Sequence, residues 1–238
     1  MDKAARVSML LSVLAIAISG FVWFRSSQQI ELLRVSQRDL MAEVGAMRRS
    51  PVIDITGAPM LGSPDAIVTM IEFSDYECPF CIRHFEQTWP QIDANFVKTG
   101  KLRYVFKDFP VDQLHPAAIR AHEAAQCGAE QGRFWEMHNR LFSAPGTHTP
   151  EALTQRAAEA GLDLNAWRDC VQSGRTTERI RASAAFAAEL GATGTPAFFI
   201  GLIDLATNQV RILQAVTGAQ SFEVFARAID AVARKQGQ

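Results

Sequence analysis

The sequence predicts an α/β domain interrupted by a helical insertion and preceded by a membrane helix and a helical stalk. Three observations carry that expectation. Apolar, β-rich runs occur before Pro110 and again after Pro196. Between them lies an Ala-rich stretch of helical period. Residues 1–50 differ from both, with an uncharged apolar run followed by a heptad pattern. Strands, then helices, then strands again describe one layered domain with an insertion rather than two sequential domains.

Asp2 to Arg6 is short and mildly basic, and from Val7 to Phe24 no residue is charged. An apolar stretch of about 20 residues spans a bilayer. Ala17 and Ser19 offer the small residues of a signal-peptide cleavage site. Phe21-Val22-Trp23-Phe24 continues the apolar run past that site, and Trp23 suits a membrane interface. Residues 1–25 therefore read as an uncleaved transmembrane anchor, with a cleaved signal as the alternative. Lys3 and Arg6 precede the run, whereas Arg25, Arg34 and Arg38 follow it. That balance slightly favours the orientation opposite to export, so export is inferred from the cysteine chemistry instead. Residues 26–50 read as a stalk. Ile30, Leu33, Gln37, Leu40, Val44 and Met47 trace a heptad seam, which suits either a short coiled coil of two or three copies or a lone stalk helix. Ser50-Pro51 ends it.

The soluble domain is assigned to residues 51–238. Val52–Ile55 is a short strand, and Gly57 to Pro64 a loop. Ile67–Phe73 is mostly apolar, as expected of a strand buried on both faces. Ile82, Phe85, Trp89, Ile92 and Phe96 then recur at helical spacing, and Lys101–Phe109 is the next strand. The insertion, about 115–191, is punctuated by Gly128, Gly146, Gly161, Gly174 and Gly191 and accommodates four or five helices. Thr149-Pro150 is an N-cap followed by proline at the first helical position. Ala197–Ile203 and Val210–Val216 are strands, and Ser221–Arg234 is a closing amphipathic helix.

Composition narrows the function classes. With 24 Lys+Arg against 25 Asp+Glu the chain has no electrostatic footprint for nucleic acid. Four cysteines among 238 residues do not make a small disulfide scaffold. The chemistry rests on Cys78-Pro79-Phe80-Cys81, placed where a buried strand ends and a helix begins. Both thiols fall within one helical turn and can close a disulfide. The free N–H groups and dipole at a helix start stabilise a thiolate at Cys78 and lower its pKa. A stabilised thiolate is a good leaving group, so the disulfide is a good oxidant. Cys78 is the sulfur that a substrate thiolate attacks, and Cys81, one turn inside, is the resolving thiol. The competing reading is half of a structural zinc site, which needs a second Cys/His pair that the sequence does not supply at suitable spacing. Gly194-Thr195-Pro196 precedes a strand; a proline there is either an ordinary trans residue or a cis one. Next to the cysteine pair, the Thr195 backbone would pair with an extended substrate segment.

Three segments together resemble the DsbA-like branch of the thioredoxin superfamily. They are Glu-Phe-Ser-Asp-Tyr-Glu-Cys-Pro-Phe-Cys at 72–81, Gly-Arg-Phe-Trp-Glu-Met-His at 132–138 and Gly-Thr-Pro-Ala-Phe-Phe at 194–199. The resemblance covers roughly residues 52 to 236. It implies a thioredoxin-like fold with an inserted all-helical subdomain, Cys78 as nucleophile, Cys81 as resolving thiol and Pro196 as a cis-proline. Phe80 departs from the best-known dipeptides of the family, so a redox potential is not carried over. Glu72 matches an acidic residue buried beneath the active site in this family. A carboxyl in an apolar site has a raised pKa and can relay a proton to or from Cys81. Its alternative is a surface-facing strand residue. Lys107 on the following strand is a candidate partner for Glu72.

Cys127 and Cys170 both fall in the helical insertion. Some DsbA-like proteins carry a second, non-catalytic disulfide there, and the resemblance implies one here; two buried free thiols are the alternative. Such a bridge would contribute roughly 4 kcal/mol in the loop-entropy model and fits an exported domain. His115, His122 and His138 lack a completing ligand pattern, so capping or surface roles are expected and no metal. His84, on the active-site helix, reads either as a group that tunes the thiolate or as an outward-facing residue, and its position well into the helix favours the latter. Phe134 and Trp135 read as core.

The expected function is a membrane-tethered thiol–disulfide oxidoreductase that introduces disulfides into exported proteins with free thiols, in the cytoplasmic membrane of a bacterium and facing the periplasm or cell exterior. No cofactor is expected. The resemblance implies reoxidation by a quinone-linked membrane partner of the DsbB or vitamin-K-epoxide-reductase type. The alternatives are an isomerase or reductase assembled through the stalk, and a non-enzymatic metal-binding module.

Overall fold

The computed structural model describes residues 50–144, 146 and 148–236, together with Arg25. The anchor and stalk expectations fall outside that description, apart from Arg25 and Ser50. Among the described residues no helix is long and apolar enough to cross a membrane.

Pro51 onward forms one compact unit around a 6-stranded sheet of order β1-β6-β5-β3-β4-β2. The strands are β1 (Val52–Asp54), β2 (Met60–Leu61), β3 (Val68–Ser74), β4 (Arg103–Asp108), β5 (Ala197–Asp204) and β6 (Gln209–Thr217). β3 pairs with β4 in parallel and with β5 antiparallel; the remaining pairs are antiparallel. Every residue of β3 is buried, as its mostly apolar run requires of a central strand covered on both sides. β2 lies inside the segment that reads as loop. Two residues are too few for an alternating pattern to show, and it exists only through pairing with Tyr104 and Val105. β5 and β6 shift register between Ile200 and Gly201. A Cβ at Gly201 would lie 2.0 Å from the Arg211 carbonyl oxygen, so the two backbones approach this closely only at glycine.

β3 and β4 are joined by one helical run: α1 (Pro79–Arg83), a π turn (His84–Thr88), α2 (Trp89–Ile92) and a second π turn (Asp93–Val97). Pro90 has no N–H to give to the preceding turn, and the helix is widened immediately before it. The apolar period reads Ile82, Phe85, Trp89, Ile92 and Phe96 as the inner face. In the structure Cys81, His84, Thr88 and Ile92 are buried, whereas Ile82 and Phe85 are partly buried against the helical insertion. The run has two covered faces, and a single-stripe reading captures one of them.

Among the described residues the insertion folds into α3 (Ala118–Ala129), α4 (Phe134–Ser143), α5 (Pro150–Glu159), α6 (Leu164–Ser173) and α7 (Thr177–Glu189). The Thr149 hydroxyl accepts the Ala152 N–H, and Pro150 opens α5. Asp163 caps α6 through the N–H groups of Asn165 and Ala166, and Gly174 ends it with φ of 63°. Cys127 on α3 and Cys170 on α6 are joined by a disulfide with a Cα–Cα distance of 5.7 Å. α8 (Phe222–Ala233) closes the chain.

The apolar core has three parts. Met70, Tyr104, Phe198 and Ile200 pack against Ile92 and Phe96 of the helical run and against Phe225 and Ile229 of α8. On the opposite side of the sheet Ile71, Phe73, Val105 and Phe199 meet Ala187 and Phe186 of α7. The insertion has its own core, including Phe142 and Trp167, which reaches Tyr76, Cys78, Cys81 and Phe106. The site therefore sits where the sheet, the helical run and the insertion meet.

Candidate active site

β3 ends at Ser74, and a tight turn follows. Asp75 is fully buried and its carboxylate organises that turn. It accepts the N–H of Glu77 at 2.8 Å and of Val111 at 2.7 Å, and Nδ1 of His115 lies 2.8 Å away. The Cys78 N–H donates to the Asp75 carbonyl at 3.2 Å. Cys78 is thereby held in an extended conformation at the N-cap of α1. Satisfying the free N–H groups of a first helical turn is the ordinary work of a capping oxygen; here a sulfur stands in that place.

The antiparallel register of β3 and β5 sets Ala197 opposite Phe73. The Thr195–Pro196 peptide, which is cis, thus comes alongside the end of β3. The Cys78 thiol donates to the Thr195 carbonyl at 3.4 Å. Cys78 retains 4% of its surface and Cys81 none. The two thiols are pushed in opposite directions. Cys78 is lowered to about 5, chiefly by a hydrogen bond from the Cys81 thiol, with help from Thr195 and the N–H groups of Cys81 and Phe80, and against the effect of burial. Cys81 is raised well above the ordinary thiol value by burial, and further by donating to Cys78. An acidic outer thiol and a reluctant inner one are what nucleophilic attack followed by resolution requires.

Glu72 lies on the β3 face that looks toward the helical run and is 2% exposed. The Tyr104 hydroxyl donates to its Oε2 at 2.6 Å. Burial raises its pKa to about 7, with the Tyr104 bond working the other way. A carboxyl poised near neutrality can give or take a proton. Lys107 is not its partner. Glu72 is paired in register with Phe106, and Lys107 with Phe73, so strand alternation turns Lys107 to the opposite face. There its Nζ donates to the Asp54 carbonyl at 3.0 Å.

The histidines also depart from expectation. His84 is 1% exposed, not outward-facing. It sits one turn beyond Cys81 with Nε2 3.5 Å from Glu72 Oε2, and burial lowers its pKa to about 3. His122 and His138 are buried rather than superficial. Nδ1 of His122 lies 2.6 Å from Asp108, and His138 shares a hydrogen bond of 3.1 Å with the Tyr76 hydroxyl. Phe134 is buried and Trp135 half-buried, its indole N–H donating to Met60. Asp75 and Tyr104 are the participants that sequence reasoning missed, and His84, expected to face outward, is buried at the site instead. Tyr104 stands two positions from Phe106, the strand partner of Glu72, and so on the same face of β4. Asp75 and His84 read as polar residues of a turn and a helix exterior. Phe80 is 54% exposed beside Cys78, with the Arg83 guanidinium 5.1 Å from its ring centroid. Among the described residues no group of three or more His, Cys, Asp or Glu side chains is arranged to hold a metal ion.

A family model described as "Thioredoxin" matches residues 55–231. Among solved structures, a thioredoxin-like oxidoreductase from Silicibacter pomeroyi is 29% identical with a TM-score of 0.62, over 75% of this chain and 93% of that one. Alpha-DsbA1 of Wolbachia pipientis is 24% identical with a TM-score of 0.65, over 75% and 92%. BdbD of Bacillus subtilis is 19% identical with a TM-score of 0.67, over 78% and 97%. Among curated proteins, the Na(+)/H(+) antiporter NhaA 3 of Salinispora tropica is 31% identical over 196 residues, which is 82% of this chain. The chain spans 29% of that protein's length. With the fold, the cysteine pair and the family match in agreement, the chain belongs to the thioredoxin family.

Proposed function

We propose that the protein is a membrane-tethered dithiol oxidase of exported proteins, working through Cys78 and Cys81. The observation that carries this reading is the opposed perturbation of the two thiols. Stabilising the Cys78 thiolate favours the dithiol form of the enzyme and makes the 78–81 disulfide oxidising.

In the first step a substrate thiolate attacks Cys78 Sγ of the disulfide. The bond to Cys81 breaks, Cys81 leaves with the electron pair, and the protonated Glu72 carboxyl supplies its proton. A second substrate thiolate then attacks the substrate sulfur of the mixed disulfide, and Cys78 departs as a stable thiolate. Two substrate thiols are oxidised and the enzyme disulfide is reduced. The Thr195 backbone, against Cys78, positions an extended substrate segment by strand-like pairing. Exposed Phe80 offers that segment an apolar contact. The Cys127–Cys170 bridge has a structural role in the insertion and fits an oxidising compartment.

The apolar run of residues 1–25 supports a single span, with the catalytic domain in the periplasm or at the cell exterior. The match to part of proteins named as Na(+)/H(+) antiporters supports work beside a membrane. A quinone-linked membrane partner of the DsbB or vitamin-K-epoxide-reductase type would return the dithiol to the disulfide.

A Cys81→Ala variant tests the reading. In it the Cys78 thiolate, by the reverse of the second step, should attack the disulfides of exported proteins and accumulate as mixed disulfides with one substrate sulfur released as thiolate, and wild-type Cys78 should be found mostly oxidised in cells. Mostly reduced Cys78 would overturn the oxidase assignment and leave the oxidoreductase fold in place.

A further inference from the structure

His84 presents an energetic puzzle. Its ring packs between aromatic neighbours, with centroids 4.5 Å from Phe198 and 5.2 Å from Phe225. It is 1% exposed, and neither ring nitrogen has a hydrogen-bond partner. A phenylalanine would make the same ring contacts without two unsatisfied polar atoms, each costly to bury. Among the described residues the acidic side chain against it is Glu72, whose Oε2 lies 3.5 Å from Nε2, too far for a formed hydrogen bond.

Polar groups face Glu72 from three directions. Ser74 and Tyr76 come from β3 and the turn after it, Cys81 and His84 from the helical run, and Tyr104 from β4. β5 and α8 contribute Phe198 and Phe225, which are apolar. Tyr104 already donates to Oε2, and His84 addresses the same oxygen.

We infer that His84 is a positioning residue for thiol exchange: it keeps its single proton on Nε2 and offers that N–H to Glu72 Oε2 in the state where Glu72 is ionised. This rests on the proposed role of Glu72. When Cys81 leaves as a thiolate, the proton moves from the Glu72 carboxyl to the Cys81 sulfur, giving a neutral thiol and a buried carboxylate. The new charge draws in the neutral imidazole, and the 3.5 Å contact closes to a charge-assisted hydrogen bond. The donor is idle before the transfer and engaged after it, so it favours the product of that step. Burial supports the neutral imidazole, since it holds His84 far below the ordinary histidine pKa.

The test uses the full chain in its dithiol and disulfide forms, with 13C-carboxyl glutamate and 15N histidine. In the wild type the His84 nitrogens should show the Nε2–H tautomer with no titration near the ordinary histidine range. In His84→Phe the Glu72 carboxyl midpoint should move up by about one pH unit, a tenfold change in ionisation. His84→Gln, which restores an N–H donor, should bring it most of the way back. An unchanged midpoint in His84→Phe overturns the inference, as does an Nδ1–H tautomer in the wild type. Should His84→Phe not fold, the wild-type tautomer and the midpoint in His84→Gln decide alone: the inference stands only if the proton is on Nε2 and that midpoint stays near the wild-type value. Glu72 titrates whether or not the protein oxidises any substrate, so this outcome is separable from that of the mixed-disulfide trap.

Discussion

The Cys78 sulfur lies 3.4 Å from the Thr195 carbonyl oxygen, although 117 positions separate the two in sequence. The contact follows from the β3–β5 register, which sets the residue after Pro196 opposite Phe73. One strand pairing thus brings the outer sulfur of the redox pair next to a backbone segment capable of holding a substrate peptide beside it.

The Cys78 thiolate should persist well below neutral pH. Alkylation of Cys78 should be nearly independent of pH between 7 and 6 and fall with a midpoint near 5. The largest cause of that low value is the hydrogen bond from Cys81, so Cys81→Ala should move the midpoint upward. Thiolate ultraviolet absorbance, followed against pH, measures both. A midpoint at the ordinary thiol value would remove the basis for an oxidising disulfide.

Glu72 should cost stability at high pH. Its folded pKa is raised from 4.5 to about 7, so the folded state holds the extra proton between those values. Stability from this group is complete below pH 4.5 and declines as pH rises through 7. The shift corresponds to about 3 kcal/mol in full. Urea unfolding of wild type and Glu72→Gln should diverge by about that amount, in favour of the variant, between pH 4.5 and 8. Mixed-disulfide formation should meanwhile be slower in the variant, because Cys81 leaves without its proton donor.

The buried imidazoles should make the protein acid-labile. His84 and His138 are both lowered to about 3 by burial. In the unfolded chain they take up protons near pH 6.5, so stability is present above 6.5 and lost as pH falls toward 3. Glu72 opposes this loss, so the clean background is Glu72→Gln. There, unfolding free energy should fall by about 3 kcal/mol per pH unit below 6 for the two imidazoles together, and by about half that once His138→Gln is added.

The Cys127–Cys170 bridge should serve stability and not exchange. It ties α3 to α6 within the insertion, closing a loop with a sequence separation of 43. Replacing both cysteines with alanine should lower stability by about 2–4 kcal/mol. Alkylation kinetics at Cys78 should stay at the wild-type rate. Parallel thermal melts and alkylation assays separate the two readouts.

Some of this was legible residue by residue. The run Ile67–Phe73 announced a doubly buried strand, because sustained apolarity in a short β-rich segment has few other uses. Cys78-Pro79-Phe80-Cys81 announced its chemistry because two thiols in one turn at a helix start form a local arrangement. Local patterns survive in the sequence: capping by Thr149, the Gly174 stop and the order of strands and helices all depend on neighbours a few positions away.

What only the tertiary structure decided concerns pairs that are distant in sequence and the direction in which side chains point. A lysine near an acid on adjacent strands looks like an ion pair, yet strand alternation turned Lys107 away and gave Glu72 the hydroxyl of Tyr104. A histidine on a helix looks solvated, yet the run from Pro79 to Val97 has two covered faces, and His84 fell on the buried one. The physical reason is common to both. Sequence periodicity states that a face exists, whereas burial, and with it every perturbed proton affinity at this site, depends on which other elements come to cover that face.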